Sequence, residues 1–246
     1  MSTTPPSTFA GVLARALAHD PGRPVVTFYD HATDERVELS VTTYANWVAK
    51  AASLLCEEHD LERGDRLRVD LPVHWLGPVF LGAAWTAGLV VVLDGDDPAD
   101  AVVCGPDGLS RWAPHADDVP VLACSLRPMG VRFAEPLPPG VHDVGLEVWG
   151  QPDAFTPLDP PGHHDVAVEV DGAEQTQGDL WRAAAAGRRL TDGDRLLTET
   201  NPASPPGLAS FTEPLVLGGS VVLVARADAS RLDATYAAER ATARDR

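Results

Sequence analysis

Few residues in this chain have types and spacings that favour chemistry, and a histidine pair is the first of them. His163 and His164 precede an aspartate, so residues 163–165 could form a metal or acid–base cluster. Adjacent side chains point apart on an extended chain and no third ligand is near in sequence, so a polar loop is the favoured alternative. The four aspartates of residues 94–100 do not have EF-hand spacing, which favours a solvated acidic loop over a cation site.

His74 and Trp75 come directly after a predicted strand, residues 66–71. In open parallel sheets, ligands bind outside the carboxyl ends of the strands, so these two side chains are candidate walls of a substrate pocket. The alternative is that Trp75 packs in the core while His74 lies on the surface.

Four residues nearer the carboxyl terminus are further candidates for substrate binding. Gly218 and Gly219 precede an apolar strand, where a bare backbone could approach a ligand or could simply end a helix. Ser204 lies upstream of that pair, and Gly207 marks the predicted start of the intervening helix.

The sequence contains no motif that assigns a catalytic residue or a metal ligand. GxGxxG, a Walker loop, HExxH and GxSxG do not occur. None of Ser110, Ser125 and Ser204 has the pair of flanking glycines of a nucleophile elbow, so no hydrolase triad follows. We therefore assign no catalytic residue and no metal site from the sequence.

The chain is strongly acidic, with 246 residues, 44% of them hydrophobic, and a formal net charge of −17. Such a surface repels phosphate backbones and anionic lipids, so we expect neither a nucleic acid nor a membrane as partner. Three well-separated cysteines without a CxxC are typical of a reducing compartment. No signal peptide and no apolar run of transmembrane length is found, so the sequence predicts a cytoplasmic protein.

Hydrophobic periodicity predicts the elements that position these residues. Residues 25–29 and 36–39 read as a hairpin, and residues 42–93 as helix, strand, helix and strand. We expect the two strands of the second segment to be parallel neighbours, or one strand apart. The predicted buried positions of that segment are Trp47, Leu54, Val69 and Val91.

The remaining chain continues this alternation. A Pro-rich stretch, residues 153–162, is a weak internal boundary, and strands and helices alternate after it. The predicted later elements are strand 166–170, helix 177–187, strand 195–198, helix 207–217, strand 220–225 and helix 229–240. Alternation of this kind predicts an α/β fold with a doubly wound, mainly parallel sheet. One domain is expected over residues 9–240, after a disordered segment of residues 1–8.

Several stretches resemble the AMP-binding domain of the adenylate-forming superfamily, which includes AMP-dependent synthetases, ligases and acyl-CoA synthetases. The order of elements over residues 42–93, with Arg-Gly-Asp in the turn before the first strand, resembles the start of that domain. The sequence LSVTTY at residues 39–44 resembles its opening, and TDGDRLL at 191–197 followed by LVLGGSVVL at 215–223 resembles later motifs. Residues 38–55, with NWVAK at 46–50, are similar to a family of short AMP-binding-like proteins from actinobacteria.

The chain departs from the superfamily pattern where nucleotide chemistry occurs. The resemblance places a phosphate loop between residues 158 and 191, but residues 163–178 contain only the isolated Gly172 and Gly178, and the segment has no lysine. Ser204 stands where the superfamily has an aromatic–histidine pair. Lys50 is the only lysine, and its helix suggests a structural surface role. The chain ends before the adenine-binding segment and the carboxyl-terminal catalytic domain of a full ligase.

The resemblance therefore implies a truncated synthetase-like protein that is non-catalytic or degenerate, acting as a small-ligand or partner-binding module. The alternative is a reduced carboxylate-activating ligase, or a nucleotide-binding subunit completed by a partner. AMP or ATP as a ligand follows from the resemblance alone. A half-domain would leave Val216, Val222 and Val224 uncovered, so we expect local chain to cover them, or a homodimer or protein partner to bury them.

Overall fold

A computed structural model of the chain describes residues 6–93, 95 and 99–245. Most of the aspartates predicted to form an acidic loop, and residues 1–5 of the predicted N-terminal segment, lie outside the described residues. The strands are β1 (Pro24–Asp30), β2 (Glu35–Ser40), β3 (Arg66–Asp70), β4 (Val90–Val92), β5 (Ala101–Cys104), β6 (Val121–Ala123), β7 (Val141–Asp143), β8 (Val166–Val170), β9 (Ala173–Thr176), β10 (Arg195–Thr198), β11 (Ser220–Ala225) and β12 (Ala243–Arg244). The α-helices are α1 (Phe9–His19), α2 (Val41–Ser53), α3 (Leu76–Ala87), α4 (Leu109–Trp112), α5 (Val144–Glu147), α6 (Gln177–Ala185), α7 (Ala209–Val216) and α8 (Ala229–Ala238).

The strands form two sheets. Sheet A has the order β12-β10-β11-β1-β2, and sheet B has the order β7-β6-β5-β3-β4-β8-β9. Neighbouring strands are parallel except in the hairpins β1–β2 and β8–β9. The predicted α/β fold with mainly parallel strands is confirmed. Its division into two sheets depends on which strands pair, and periodicity along the chain carries no information about pairing.

The predicted order of helix, strand, helix and strand over residues 42–93 is also confirmed. Helix α2 begins after Ser40, whose hydroxyl accepts the Thr43 N–H, and continues into a π-helical turn at Leu54–Glu58. β3 and β4 are parallel neighbours. The predicted burial of Leu54, Val69 and Val91 is confirmed, whereas Trp47 is only partly buried.

Helix α3 is apolar on all sides because it is packed on all sides. It contacts α1, α2, β3 and β4. The hydroxyl of Tyr44 in α2 donates to the Pro78 carbonyl at 2.9 Å, and a methyl group at Gly82 would lie only 2.3 Å from that hydroxyl oxygen. The bare backbone at Gly82 therefore permits the close approach of α2 and α3.

Gln177 joins three helices through one buried side chain. Its Oε1 accepts the backbone N–H of Phe9, at the start of α1, at 2.8 Å. Its Nε2 donates to the carbonyl of Trp85 in α3, also at 2.8 Å. These bonds fix α6 against the amino-terminal half of the chain, because breaking either would leave a buried polar group unsatisfied.

The apolar residues expected to need a cover are covered within the chain. Val222 and Val224 form a cluster with Leu232 of α8, and Val216 is also buried. Among the described residues, no helix combines the length and apolar character needed to cross a lipid bilayer.

Candidate functional site

A small cleft lies where the carboxyl end of β3 in sheet B meets the segment that follows β10 in sheet A. The two sides are joined by the Asn201 side chain, whose Nδ2 donates to the Leu71 carbonyl at 2.7 Å. The Oδ1 of Asn201 accepts the Ala203 N–H at 3.0 Å, which holds the turn after β10 in place. The cleft thus occupies a carboxyl-edge position of the kind where open parallel sheets bind ligands.

The sheet B wall of the cleft is built around Asp70, the last residue of β3. Its Oδ2 accepts a hydrogen bond from the indole Nε1 of Trp112 at 2.6 Å. The guanidinium of Arg111 stacks on the Trp112 ring, 4.4 Å from its centroid, and donates to the Gly95 carbonyl at 2.6 Å. Cation–π stacking and charge-assisted bonding together give this wall a fixed arrangement.

Arg68 adds a second cation to the same wall. Its side chain is 6% exposed, and its guanidinium lies 5.5 Å from the Trp112 ring centroid. The enclosed volume is about 200 Å³. The lining residues are Arg68, Val69, Asp70, Leu71, Leu93, Gly95, Arg111, Trp112, Asn201, Ala203 and Ser204. The arrangement can hold a small polar group between cationic and hydrogen-bonding side chains.

Of the residues predicted from the sequence, Ser204 lines the sheet A side of the cleft, and Gly207 lies in the same turn without lining it. The Ser204 hydroxyl donates to the Asn201 carbonyl at 2.7 Å, so it is engaged in the turn. The Gly207 N–H donates to the Ser204 carbonyl at 3.0 Å. A methyl group at Gly207 would lie 1.8 Å from the Asn201 carbonyl oxygen. Any larger residue would therefore clash with the backbone of this turn.

His74 and Trp75 lie just beyond the same end of β3, and both are buried. His74 is 3% exposed and Trp75 is 1% exposed, so the expectation of a surface His74 is wrong. Burial lowers the pKa of His74 to about 3, and the Asp30 carboxylate opposes the shift only in part. The imidazole is therefore neutral at neutral pH.

His74 and Trp75 each have a buried N–H group that lacks a hydrogen-bond acceptor among the described residues. His74 Nδ1 accepts the Leu76 N–H at 3.2 Å, so the neutral ring carries its proton on Nε2. Within the described part of the chain, His74 Nε2 and Trp75 Nε1 are both buried without a hydrogen-bond partner. The His74 ring packs on Phe28 at a centroid distance of 4.7 Å, and Trp75 packs on Trp47 at 4.9 Å. The pair thus joins β1, α2 and the end of β3 in the core.

Gly218 and Gly219 lie at the opposite end of sheet A from Ser204. They connect α7 to the amino end of β11, and Gly218 has a φ of +72°. The Gly219 N–H donates to the Pro214 carbonyl, and a methyl group at Gly219 would lie 2.0 Å from the Asp194 carbonyl oxygen. The two glycines therefore end helix α7, which is the second of the two roles considered for them, and they do not lie at the cleft.

Comparison with known proteins decides the family. No protein-family model matches the chain. A protein of Mycobacterium tuberculosis described as a TIGR03089 family protein is 37% identical over 247 residues, which covers 98% of this chain and 98% of that one. The chain belongs to the TIGR03089 family.

Solved structures show that this TIGR03089 protein shares its fold with part of acyl-CoA synthetases and CoA ligases. An acyl-CoA synthetase from Brucella canis superposes with a TM-score of 0.76 at 18% identity, over 95% of this chain and 46% of that one. A benzoate CoA ligase from Burkholderia xenovorans LB400 gives a TM-score of 0.76 at 16% identity, over 96% and 49% of the two chains. The resemblance is confirmed at the level of the fold, and this chain spans about half the length of these ligases.

The segment in which the resemblance places a phosphate loop is fully described in this TIGR03089 protein. Strands β8 and β9 pair directly, with Val170 opposite Ala173. Their connection is a two-residue turn, Asp171 and Gly172, with φ of +50° and +72°. Positive φ at both central residues is typical of the tight type I′ hairpin turn.

Lys50 is engaged away from the cleft. Its Nζ donates to the Gln151 carbonyl and lies 3.2 Å from an Asp153 carboxylate oxygen. The side chain is 17% exposed. Lys50 therefore anchors the segment after α5 to α2, which agrees with the structural role expected from the sequence, although the side chain is more buried than a surface residue.

The remaining candidates from the sequence are the histidine pair with Asp165 and the aspartates of residues 94–100. His163 and His164 are exposed in a turn, but their ring centroids are 3.8 Å apart, so the expectation that the two side chains point apart is wrong. Asp165 accepts from Arg63 and is part of an ion pair. Asp100, the described member of the aspartate group, accepts the backbone N–H of Arg66 at 2.7 Å.

Proposed function

We propose that this protein is a non-catalytic member of the adenylate-forming fold that binds a small polar ligand in the cleft between the two sheets. The observation that carries the proposal is the two-residue turn between β8 and β9. A phosphate loop presents several consecutive backbone N–H groups to an anion, often at a helix N-terminus. A tight hairpin turn commits the neighbouring N–H groups to the strand ladder and leaves no such cradle.

The only lysine supports the same proposal. A compact ammonium close to the transferred phosphoryl group stabilises the charge that develops there. Lys50 is instead paired with Asp153 and the Gln151 carbonyl. Arginines border the cleft, but a guanidinium is a planar fork and does not replace an ammonium atom for atom.

The cleft itself supports a small ligand. Its volume of about 200 Å³ is below the roughly 300–1,000 Å³ typical of pockets for drug-sized ligands. Arg68, Asp70 and Asn201 offer charge and hydrogen bonds of both polarities in its walls. A cytoplasmic location, expected from the spacing of the cysteines, stays a prediction.

An exchange assay tests the absence of catalysis. ATP–pyrophosphate exchange should not exceed a no-enzyme blank with any of a panel of carboxylic acids, while an acyl-CoA synthetase run alongside should be active. Exchange above the blank that Arg68→Gln abolishes would overturn the proposal and favour a reduced carboxylate-activating ligase.

A thermal-shift panel tests the ligand class. A ligand at 100 times its Kd adds about 2.7 kcal/mol to the free energy of unfolding. Small polar compounds should raise the Tm of the native chain and not of Arg68→Gln, whereas Arg15→Gln, a substitution on the exposed face of α1, should respond like the native chain. Stabilisation by ATP or AMP instead would favour the nucleotide-binding subunit.

A further inference from the structure

A cluster of two histidines and a glutamate lies at the outer edge of sheet B. His59 follows the π-helical turn that extends α2, His142 is the middle residue of β7, and Glu147 is the last residue of α5. β7 lies three strands from β3 in the sheet, which places the cluster about 14 Å from that strand at about 4.8 Å per strand. It is therefore separate from the cleft.

The ligand atoms of the three side chains converge. His59 Nε2 lies 3.1 Å from Glu147 Oε2, and His142 Nδ1 lies 3.1 Å from Glu147 Oε1. The two imidazole rings have centroids 4.3 Å apart. One ligand atom from each residue lies within 4.8 Å of the other two.

These spacings suit a transition metal. Zinc binds histidine nitrogen and carboxylate oxygen at about 2.0–2.2 Å in tetrahedral geometry, which places neighbouring ligand atoms about 3.3 Å apart. Each histidine nitrogen lies 3.1 Å from a Glu147 oxygen, which is close to that edge length, but the two nitrogens contact different oxygens. An ion bound by one of these oxygens would therefore draw together ligand atoms that now lie within 4.8 Å of one another. Imidazole nitrogens exclude a preference for calcium or magnesium, which take oxygen ligands.

Burial is graded across the cluster. The His59 side chain is 4% exposed, Glu147 is 26% exposed and His142 is 40% exposed. His142 and Glu147 also line a groove of about 800 Å³ that includes Arg127 and Arg132. The cluster therefore has a buried side, at His59, and a solvent-accessible side at the groove, from which an ion could enter.

We propose that His59, His142 and Glu147 bind one divalent transition-metal ion, with zinc preferred by ligand type. Two histidines, one carboxylate and an open fourth position form a ligand set that zinc adopts in open sites. Sequence analysis did not find the cluster, because His59 and His142 are 83 positions apart in the chain. The proposal is independent of the cleft and of whether the chain is catalytic.

Zinc titration of the full chain after treatment with EDTA tests the proposal. Isothermal titration calorimetry with zinc chloride should show one equivalent bound, and cobalt(II) should give the visible absorption of a tetrahedral complex. Magnesium chloride should not compete. No binding at micromolar zinc would overturn the proposal.

Substitutions locate the ion. Even loss of an outer-shell partner of a metal ligand weakens binding about 10–100-fold, so His142→Ala and Glu147→Gln should each weaken zinc binding at least about tenfold. His142 is partly exposed on an edge strand, and Glu147→Gln keeps the side-chain volume, so at least one variant should fold. The matched control is the double variant His163→Ala, His164→Ala, which should bind like the native chain. Loss of zinc in that control, with binding retained in the other two variants, would place the ion at the exposed pair and overturn the proposal.

Discussion

The amide of Asn201 donates a hydrogen bond to the carbonyl of Leu71 across 130 residues of chain, at 2.7 Å. Leu71 follows the central β3 of sheet B, and Asn201 follows β10 of sheet A. The bond therefore ties together the two sheets at the floor of the cleft.

Asn201→Ala should lower the free energy of unfolding by about 1–3 kcal/mol, because the Leu71 carbonyl and the Ala203 N–H both lose a partner. Urea denaturation measures the change. Asn46→Ala is the matched control, since Asn46 lies within α2 and alanine has the higher helix propensity. Equal stability of the two variants would show that the bond does not hold the sheets together.

Gly207→Ala should be destabilising by about 1–3 kcal/mol, as expected for overpacking. The added methyl group would lie 1.8 Å from the Asn201 carbonyl oxygen, so the turn must move. Gly150→Ala is the control, because a methyl group there meets nothing within 4 Å; it should change stability by less than about 0.5 kcal/mol. A Gly207→Ala protein as stable as the control would contradict the packing of the turn.

The buried His74 should make stability depend on pH. Burial lowers its pKa in the folded chain to about 3 from the ordinary value of 6.5, so between these pH values the unfolded chain binds a proton that the folded chain does not. Stability from this group is therefore fully present above pH 6.5 and is lost as the pH falls towards 3. At pH 4.5 the loss should be about 3 kcal/mol relative to pH 7.

Comparison of the native chain with His74→Gln isolates this contribution. His31 and His59, whose pKa values are also lowered chiefly by burial, titrate in both proteins and cancel from the difference. Chemical denaturation from pH 7 to pH 4.5 should show a shallower decline for the variant. Parallel curves would contradict the burial of a neutral His74.

Binding of a second copy or of a protein partner stays a prediction, and the structure changes which residues are candidates for the interface. Val216, Val222 and Val224 are buried within the chain, whereas Met129, Leu146 and Trp149 are exposed. The net charge of −17 opposes self-association at low ionic strength, and salt screens that repulsion.

Light scattering at tens of micromolar protein should therefore show association that strengthens as salt is added. Trp149→Gln should weaken it, and Leu158→Gln, a substitution at an exposed residue of the Pro-rich segment, should not. A monodisperse species near 26.1 kDa at both low and high salt would contradict the prediction of a homodimer.

The pattern of apolar residues predicted those helices and strands whose buried face is evident from the local sequence. The apolar spacing of α2, the all-apolar α3 and the uninterrupted valines of β4 gave the order of residues 42–93. Periodicity could not give the second sheet, because pairing joins residues far apart in the chain. The buried position of His74 was not predicted, because a histidine is more often exposed, whereas Leu71, Trp75 and Leu76 around it are all buried.

The candidate site was predictable in part. The rule that ligands gather at carboxyl strand ends pointed, through His74 and Trp75, to the end of β3 where the proposed cleft lies, although neither residue lines it. It could not identify Asn201 or Trp112, since nothing local distinguishes an amide or an indole that bonds across the fold. The convergence of His59 with His142 is likewise a product of tertiary packing.

The hairpin turn at Asp171 and Gly172 bears on how this fold can change over generations. The cost of closing a flexible loop grows slowly, by about 0.6 kcal/mol for each doubling of length. A connection between two already paired strands can therefore lengthen or shorten while Val170 and Ala173 keep their register. The paired strands and the loop between them can therefore change independently during evolution. A protein of this fold can keep the strands after the phosphate-binding loop has been lost.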